Sequence, residues 1–292
     1  MIFSGVYTAL ATPFSRDRID NAAFKKLVDY QFDNGITGVV PAGTTGESPT
    51  LDHAEHIEII RLAVEYSEKR GPVIAGTGSN STREAVELTQ EAEKVGANAI
   101  LLVSPYYNRP TQDGLFAHFR AIAENTDLPI MLYNIPGRCG VDVLPETVVR
   151  LAEACPNIVA MKEASGLCDR VSELVAMLPT SFSVLSGDDA LTLPFMSVGA
   201  RGIVSVAGNL IPKAMSDMVA KFAAGDAAGA LALHRQYFKL FSTFLKLSTN
   251  PVPLKTALAL KGMMSSELRL PLVQLDAAKT EILKKVLEEL GI

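Results

Sequence analysis

One stretch decides how the rest of the chain is interpreted, and it reads Asn157-Ile158-Val159-Ala160-Met161-Lys162-Glu163-Ala164-Ser165-Gly166. Its apolar run has no polar alternation, which is typical of a strand buried on both faces in a parallel sheet. Lys162 stands where that strand ends. Apolar surroundings lower the pKa of a lysine, and a neutral amine can attack a ketone to form a Schiff base. On this stretch alone, a lysine that extends to solvent or pairs with Glu163 is the simpler interpretation.

Short apolar runs of this kind recur along the chain, and segments of helical periodicity alternate with them. Strands are predicted at 6–10, 38–40, 73–75, 99–103, 129–133, 158–162, 182–185 and 202–205. Helices are predicted at 20–34, 52–69, 81–95, 112–125, 145–155, 169–178 and 191–198. Strict alternation implies parallel strands with right-handed crossovers, and eight such units predict a (β/α)8 TIM barrel. The main alternative is an open doubly wound sheet, but its usual Gly-rich turn after the first strand is absent.

The alternation stops near residue 226. We therefore predict a barrel over residues 1–225 and an all-helical C-terminal extension over 226–292. The extension is predicted to contain helices at 226–247, 254–260 and 276–290. One face of its first helix carries Leu231, His234, Tyr237, Phe238, Phe241 and Leu245. No linker or low-complexity segment separates the two parts.

Composition narrows the class of protein. The chain has 292 residues, 48% of them hydrophobic and 20% charged, which is typical of a soluble globular protein. A net charge of −5 argues against nucleic acid or an anionic membrane as the main partner. Three cysteines without metal-type spacing fit a reducing cytoplasm. Neither a signal peptide nor an apolar run of membrane-spanning length is expected.

The carboxyl ends of the strands are where a TIM barrel gathers its catalytic groups. The residues predicted to meet there are Thr44, Thr45, Tyr106, Tyr107, Tyr133, Arg138, Lys162 and Gly187. Each has an ordinary structural interpretation on its own, such as a helix-capping turn, a buried ring or a solvated loop charge. Together they supply an amine, hydroxyl groups and a guanidinium, which is the set that Schiff-base chemistry on a keto acid needs.

Three segments carry a family resemblance: Gly43-Thr44-Thr45-Gly46-Glu47, Tyr133-Asn134-Ile135-Pro136-Gly137-Arg138 and Lys162-Glu163-Ala164-Ser165-Gly166. They resemble the signature segments of the dihydrodipicolinate synthase family, within the pyruvate-dependent class I aldolase superfamily. The similarity extends from about Gly5 to Leu272. Cys139 is a departure, since threonine is expected there in many relatives.

The resemblance implies a reaction and a role for each residue. Lys162 would form an imine with pyruvate, and the derived enamine would attack the aldehyde of aspartate β-semialdehyde. Tyr133 would shuttle protons through Thr44 to Tyr107, whose ring would come from a neighbouring subunit of a homo-oligomer, either a dimer or a tetramer of dimers. The implied substrate-binding residues are Thr45 for the pyruvate carboxylate, Arg138 for the carboxylate of the aldehyde, and Gly187 and Ile203. No metal or organic cofactor is implied, because the imine itself is the electron sink.

A second cluster matches positions that bind lysine as a feedback inhibitor in some members of the family. Its residues are Ser48, His53, His56, Asn80, Glu84 and Tyr106. His53 and His56 are three residues apart and share one helix face. The alternative is a polar face at a subunit contact. A metal site is the weakest interpretation, since no third ligand has suitable spacing.

Two other functions remain open on the sequence. The first keeps the fold and the imine but changes the second substrate, as in N-acetylneuraminate lyase or a 2-keto-3-deoxy sugar acid aldolase. The second is a barrel that binds a metabolite and assembles with partners without catalysis. Reductive trapping of pyruvate on Lys162 distinguishes the enzyme hypotheses from that of a non-catalytic, metabolite-binding barrel.

Overall fold

The computed structural model describes residues 2–292, and Met1 lies outside the described residues. All eight predicted strands are present, each within one residue of its predicted bounds. They are β1 (Gly5–Ala9), β2 (Gly38–Val40), β3 (Ile74–Gly76), β4 (Ala99–Val103), β5 (Ile130–Asn134), β6 (Ile158–Glu163), β7 (Ser183–Ser186) and β8 (Gly202–Ser205).

The strands form one parallel sheet that curls on itself. Its order is β2-β1-β8-β7-β6-β5-β4-β3. The two outer strands approach each other through a parallel bridge between Val39 and Val73, and the Val39 amide donates to the carbonyl of Pro72 over 3.0 Å. This contact brings the sheet to a nearly closed barrel, so the predicted TIM barrel is confirmed and the open sheet is not formed.

Helices follow the strands and surround the barrel. They are α1 (Asn21–Asp33), α2 (His53–Ser67), α3 (Thr82–Lys94), α4 (Gln112–Ala123), α5 (Pro145–Ala154), α6 (Cys168–Met177), α7 (Thr192–Ser197) and α8 (Pro212–Ala223). The first seven lie within two residues of the predicted bounds. No bounds were predicted for α8, which completes the eighth unit.

The C-terminal part is helical, as predicted. It consists of α9 (Ala227–Leu247), α10 (Val252–Leu260) and α11 (Ala277–Leu290). The proposed boundary at 225/226 falls in the turn between α8 and α9 and stays a prediction. The apolar face named above for α9 is packed only in part. Phe241 is buried and Tyr237 packs against the core, whereas Leu231, Phe238 and Leu245 are exposed, and Leu240 and Phe244 of another face are buried. Apolar residues run along two faces of this helix, and periodicity alone does not choose between them.

Two of the short elements that were not predicted lie near the site residues. An antiparallel hairpin pairs Phe14–Ser15 with Arg18–Ile19 after β1. A one-turn helix, Pro136–Cys139, follows β5. Both lie at the carboxyl end of the barrel, and the second carries Arg138.

Two hydrophobic cores result from the alternation of side chains along each strand. A small core fills the barrel interior and includes Tyr7, Met131, Leu185 and Val204. A larger core lies between the strands and the helices. Because inward and outward side chains alternate, the last inward position of a strand faces the mouth of the barrel. No helix in residues 2–292 combines the length and the apolar character that a membrane span requires.

Candidate active site

Lys162 and Tyr133 form the centre of the site. They are paired in register on neighbouring strands, β6 and β5, and both side chains are about 5% exposed. Lys162 Nζ lies 3.9 Å from the centroid of the Tyr133 ring. The parallel pairing therefore places an amine and a phenol side by side at the carboxyl end of the barrel, where the sequence predicts them.

Burial sets the charge state of the amine. It lowers the pKa of Lys162 to about 7, because the desolvated ammonium ion loses its hydration. The negative charge of Asp189 opposes this shift, and the positive charge of Arg138 adds to it. A substantial fraction of the Lys162 side chains therefore carries a free, nucleophilic amine at neutral pH.

Burial shifts the pKa of the neighbouring Tyr133 phenol upwards, opposite to its effect on Lys162. Burial raises the pKa of Tyr133 to about 12, and the nearby charge of Arg138 and a hydrogen bond with Thr44 only partly offset that rise. Tyr133 is therefore neutral at physiological pH and can donate a proton or a hydrogen bond. The Thr44 side chain therefore lies close enough to the Tyr133 hydroxyl to influence its pKa.

The turn after β2 carries Thr44 and Thr45. It is closed by the Gly46 amide, which donates to the carbonyl of Gly43 over 3.0 Å, and by the Glu47 amide, which donates to the carbonyl of Thr44 over 3.2 Å. Thr45 is 2% exposed. These two hydrogen bonds therefore hold the turn closed at the carboxyl end of β2, with Thr45 buried.

Asn250 reaches the same turn from the C-terminal extension. Its side-chain Nδ2 atom donates to Thr45 Oγ1 over 3.0 Å. Its backbone carbonyl accepts from an Arg138 Nη atom over 3.2 Å. One residue of the extension therefore holds two of the predicted substrate-binding residues. Nothing in the sequence motifs indicates Asn250, because the segments that it contacts are about 110 and 200 residues away in the chain.

Arg138 lies on the one-turn helix after β5 and is exposed. Its backbone amide and that of Cys139 both donate to the carbonyl of Ile135 over 3.0 Å. Cys139 points inward, and burial raises the pKa of its thiol to about 11. At this position the departure from threonine leaves a neutral thiol, and the turn that presents the guanidinium still forms.

Gly187 and Ile203 differ in how they can meet a substrate. A Cβ atom on Gly187 would lie 2.8 Å from the Ala164 side chain and 3.0 Å from Lys162 Cε, so glycine leaves space beside the reactive lysine. The Ile203 side chain packs into the outer core. Only the backbone of Ile203 is therefore available on the site side of β8.

Tyr107 does not pack into the site of its own chain. It adopts a φ of 73°, which is uncommon for a residue with a Cβ atom, and its side chain is 90% exposed. Tyr106 is half-buried beside Asn80, whose Nδ2 atom donates to the Tyr106 carbonyl over 3.2 Å. The side chains of these two tyrosines therefore point in different directions. Tyr106 lines a surface recess, and Tyr107 extends into solvent.

Asp189 is a buried carboxylate that the motifs do not indicate. It accepts hydrogen bonds from the Ser205 hydroxyl and from the amides of Val206 and Ala207, over 3.2 and 3.0 Å. Burial raises its pKa to about 6 in spite of these donors. Asp189 therefore ties the end of β7 to the end of β8 and lies close enough to act on the charge of Lys162.

A buried network lies behind the amine and the phenol. Arg170 of α6 donates to Glu163 over 2.7 Å, to Asp142 over 3.2 Å, and to the carbonyl of Val143. Asn134 donates to Asp142 over 2.8 Å. Glu163 and Asn134 directly follow the lysine and the tyrosine in the chain. The network therefore joins β5, β6 and the loop that carries Arg138 through side chains on their outward faces.

The six residues of the predicted lysine cluster come together on one side of the barrel. Ser48, His53, His56, Glu84 and Tyr106 line one recess, and Asn80 borders it through its bond to Tyr106. His56 Nε2 lies 2.6 Å from the carbonyl of Gly76, and burial lowers the pKa of this imidazole. His53 is half-exposed and lies 3.1 Å from Glu91.

Comparison with known proteins gives consistent matches along the whole chain. The model of the dihydrodipicolinate synthetase family matches residues 2–290. The 4-hydroxy-tetrahydrodipicolinate synthase of Sulfurihydrogenibium sp. (strain YO3AOP1) is 52% identical over 289 residues, which cover 99% of this chain and 98% of that protein. The solved structure of the same enzyme from Methylacidiphilum fumariolicum SolV is 55% identical, with a TM-score of 0.98 over 99% of this chain and 96% of that one.

Two further structural matches were solved with small molecules. The dihydrodipicolinate synthase of Acinetobacter baumannii, complexed with pyruvate, is 43% identical, with a TM-score of 0.96 over 99% of each chain. The enzyme from Cyanidioschyzon merolae, with lysine bound, is 42% identical, with a TM-score of 0.96 over 99% of this chain and 98% of that one.

Proposed function

The chain belongs to the dihydrodipicolinate synthetase family, and from this premise we propose how its residues perform the reaction. Its activity is that of a 4-hydroxy-tetrahydrodipicolinate synthase, a Schiff-base-forming lyase of lysine and diaminopimelate biosynthesis. The substrates are pyruvate, as bound in the A. baumannii enzyme, and aspartate β-semialdehyde. The observation that carries this proposal is the buried Lys162 amine, 3.9 Å from the ring centre of Tyr133.

Imine formation is the first step. The neutral Lys162 amine attacks the keto carbon of pyruvate, and the resulting carbinolamine loses water. Tyr133, with its pKa raised to about 12 by burial, is the group that can protonate the departing hydroxyl. Thr44 passes protons to and from Tyr133. Thr45 holds the pyruvate carboxylate, and the absence of a side chain at Gly187 leaves room beside the lysine.

Carbon–carbon bond formation follows. Loss of a methyl proton converts the imine to an enamine, whose nucleophilic carbon attacks the aldehyde of the second substrate. Arg138 suits the carboxylate of that substrate, because its guanidinium can present two parallel N–H groups to two oxygens. The adduct then cyclises through its own amino group and releases Lys162.

The protein acts as a homo-oligomer, a dimer or a tetramer of dimers. The support is Tyr107, a large ring that is 90% exposed and held with a left-handed backbone away from its own site. In an oligomer it reaches the Thr44 and Tyr133 hydroxyls of a neighbouring subunit and completes the proton relay.

The substrate assignment is tested with pyruvate and each candidate partner. Purified enzyme is expected to consume pyruvate with aspartate β-semialdehyde and to show no cleavage of N-acetylneuraminate or of 2-keto-3-deoxy sugar acids. Cleavage of either sugar acid, without condensation, would assign the chain to the alternative aldolase reaction. Neither activity, with no adduct on Lys162 after borohydride treatment, would indicate a metabolite-binding barrel.

Lysine is proposed as a ligand of the recess on the α2 and α3 side. The support is the convergence of His56, Glu84 and Tyr106 there and the lysine-bound C. merolae relative. Glu84 supplies a carboxylate for an amino group of the ligand. Titration calorimetry with millimolar lysine should give saturable heat that Glu84→Gln weakens. Glu87→Gln, on an exposed position of the same helix, is the matched control. No heat in the native enzyme would contradict binding, and an activity assay with lysine decides whether binding inhibits.

A further inference from the structure

A buried ion pair links the C-terminal extension to the site. Lys255 Nζ of α10 lies 2.7 Å from Glu47 Oε1, and the two side chains are 0% and 1% exposed. Removing two charges from water costs several kcal/mol per ion, and an apolar pair of similar size is often as stable or more stable. A contribution to stability is therefore a weak explanation for the presence of this ion pair. Its position next to the active-site turn suggests a functional explanation instead.

Both oxygens of the Glu47 carboxylate are held from the C-terminal part of the chain. Oε1 accepts from Lys255, and Oε2 accepts from the backbone amide of Arg269 over 3.1 Å. Lys255 Nζ also lies 4.4 Å from the centroid of the Phe14 ring. The direction of the Glu47 side chain is therefore set by groups that lie outside the turn to which it belongs.

The backbone of Glu47 transmits this constraint to the site. Its amide donates to the carbonyl of Thr44 over 3.2 Å, and its φ of 56° is left-handed. A residue with a Cβ atom pays about 1 kcal/mol or more for that conformation, so the surroundings must hold it in place. The turn with Thr44 and Thr45 therefore takes its position from the point where Glu47 is anchored.

The segment just before α10 makes a second contact with the turn. Asn250, five residues before Lys255, donates to Thr45 Oγ1 over 3.0 Å. One contact holds the end of the turn and the other holds a hydroxyl within it. Residues 250–255, which include the first turn of α10, therefore constrain both of the threonines to which the mechanism assigns roles.

We propose that Glu47 is a positioning residue whose buried pair with Lys255 fixes the Thr44–Thr45 turn for catalysis, so that the C-terminal extension is part of the catalytic apparatus. This rests on the roles proposed above for the two threonines. Displacement of a reacting group by about 1 Å can cost 100-fold in rate, so a loosened turn should lower kcat through Thr44 and raise the KM for pyruvate through Thr45.

Three variants separate positioning from stability. Lys255→Met leaves an unpaired buried carboxylate and should lower the Tm together with kcat/KM. Adding Glu47→Gln removes that charge and should recover most of the Tm, while kcat/KM for pyruvate stays about tenfold or more below the native value. Glu47→Asp keeps the charge but shortens the side chain by one methylene, so the pair can re-form only if the turn shifts. The same loss of kcat/KM is expected, with a smaller fall in Tm than in Lys255→Met. Lys239→Met, which removes a surface pair with Glu289 within the extension, is the control and should match the native enzyme.

A double variant with recovered Tm and native kcat and KM would overturn the proposal. If Lys255→Met and the double variant do not fold, Glu47→Asp decides the question, and native kinetics in that variant would overturn it equally. Borohydride trapping of pyruvate on Lys162 is recorded in parallel. The proposal is supported if every folded variant forms the adduct and the variants at Glu47 and Lys255 form it more slowly than the native enzyme. Absence of trapping in the native enzyme would reject the proposed reaction itself.

Discussion

Replacing Lys162 by methionine should abolish both condensation and the borohydride-stable pyruvate adduct. Methionine keeps much of the volume and the packing of the lysine side chain but has no nucleophile. The loss of kcat should therefore be about 10⁴-fold or more, as for other enzymes that lose the residue forming the covalent intermediate. Peptide mass spectrometry after reduction locates the adduct. Lys246→Met, at an exposed position of α9, is the control and should retain both the adduct and the activity.

The pH dependence of trapping should report the pKa of Lys162. Only the free amine attacks pyruvate, so the trapping rate rises as the pH increases through the pKa and levels off above it. Because burial lowers that pKa to about 7, the midpoint is expected near pH 7. An ordinary lysine, with a pKa near 10.4, has about one free amine in 2,500 side chains at pH 7. A midpoint near pH 10, or an adduct that persists in Lys162→Met, would contradict Lys162 as the buried nucleophile.

Local sequence patterns contain most of what determines the barrel. Each strand is a short apolar run that ends at a turn, and the run before Lys162 is one of eight. Such patterns involve only residues that are close together in the sequence. Consecutive strands of a TIM barrel pair in parallel, and the pairing of β5 with β6 brings Tyr133 next to Lys162. The centre of the site could therefore be predicted before any distance was known.

The supports of the site could not be predicted in the same way. Asn250 and Lys255 contact the turn after β2 across about 200 residues of chain, and no periodicity encodes such a contact. Arg170 resembles any polar residue in an amphipathic helix, yet it is buried against Glu163. Position relative to the barrel, rather than residue type, gives these side chains their roles, so they become visible only with the fold.

The phenol of Tyr133 is the other group whose removal should have a large effect. Tyr133→Phe keeps the ring 3.9 Å from the lysine amine and removes only the hydroxyl. Because positioned acid–base groups contribute about 10²–10⁴-fold, kcat should fall by about 100-fold or more. The imine should still be trapped on Lys162, at a lower rate. Tyr237→Phe, on α9, is the matched control and should leave kcat unchanged.

The pH profile of the native enzyme tests how that phenol acts. Burial raises the pKa of Tyr133 to about 12, so the ionised form is scarce throughout the working range, and the hydroxyl must act as a neutral donor within the relay with Thr44. The plateau of kcat above pH 8 should therefore continue to about pH 10 without a further rise. A tenfold increase per pH unit across that range would mean that free tyrosinate is the base. Native kcat in Tyr133→Phe would mean that the proton comes from another group, leaving the neighbouring ring only a packing role.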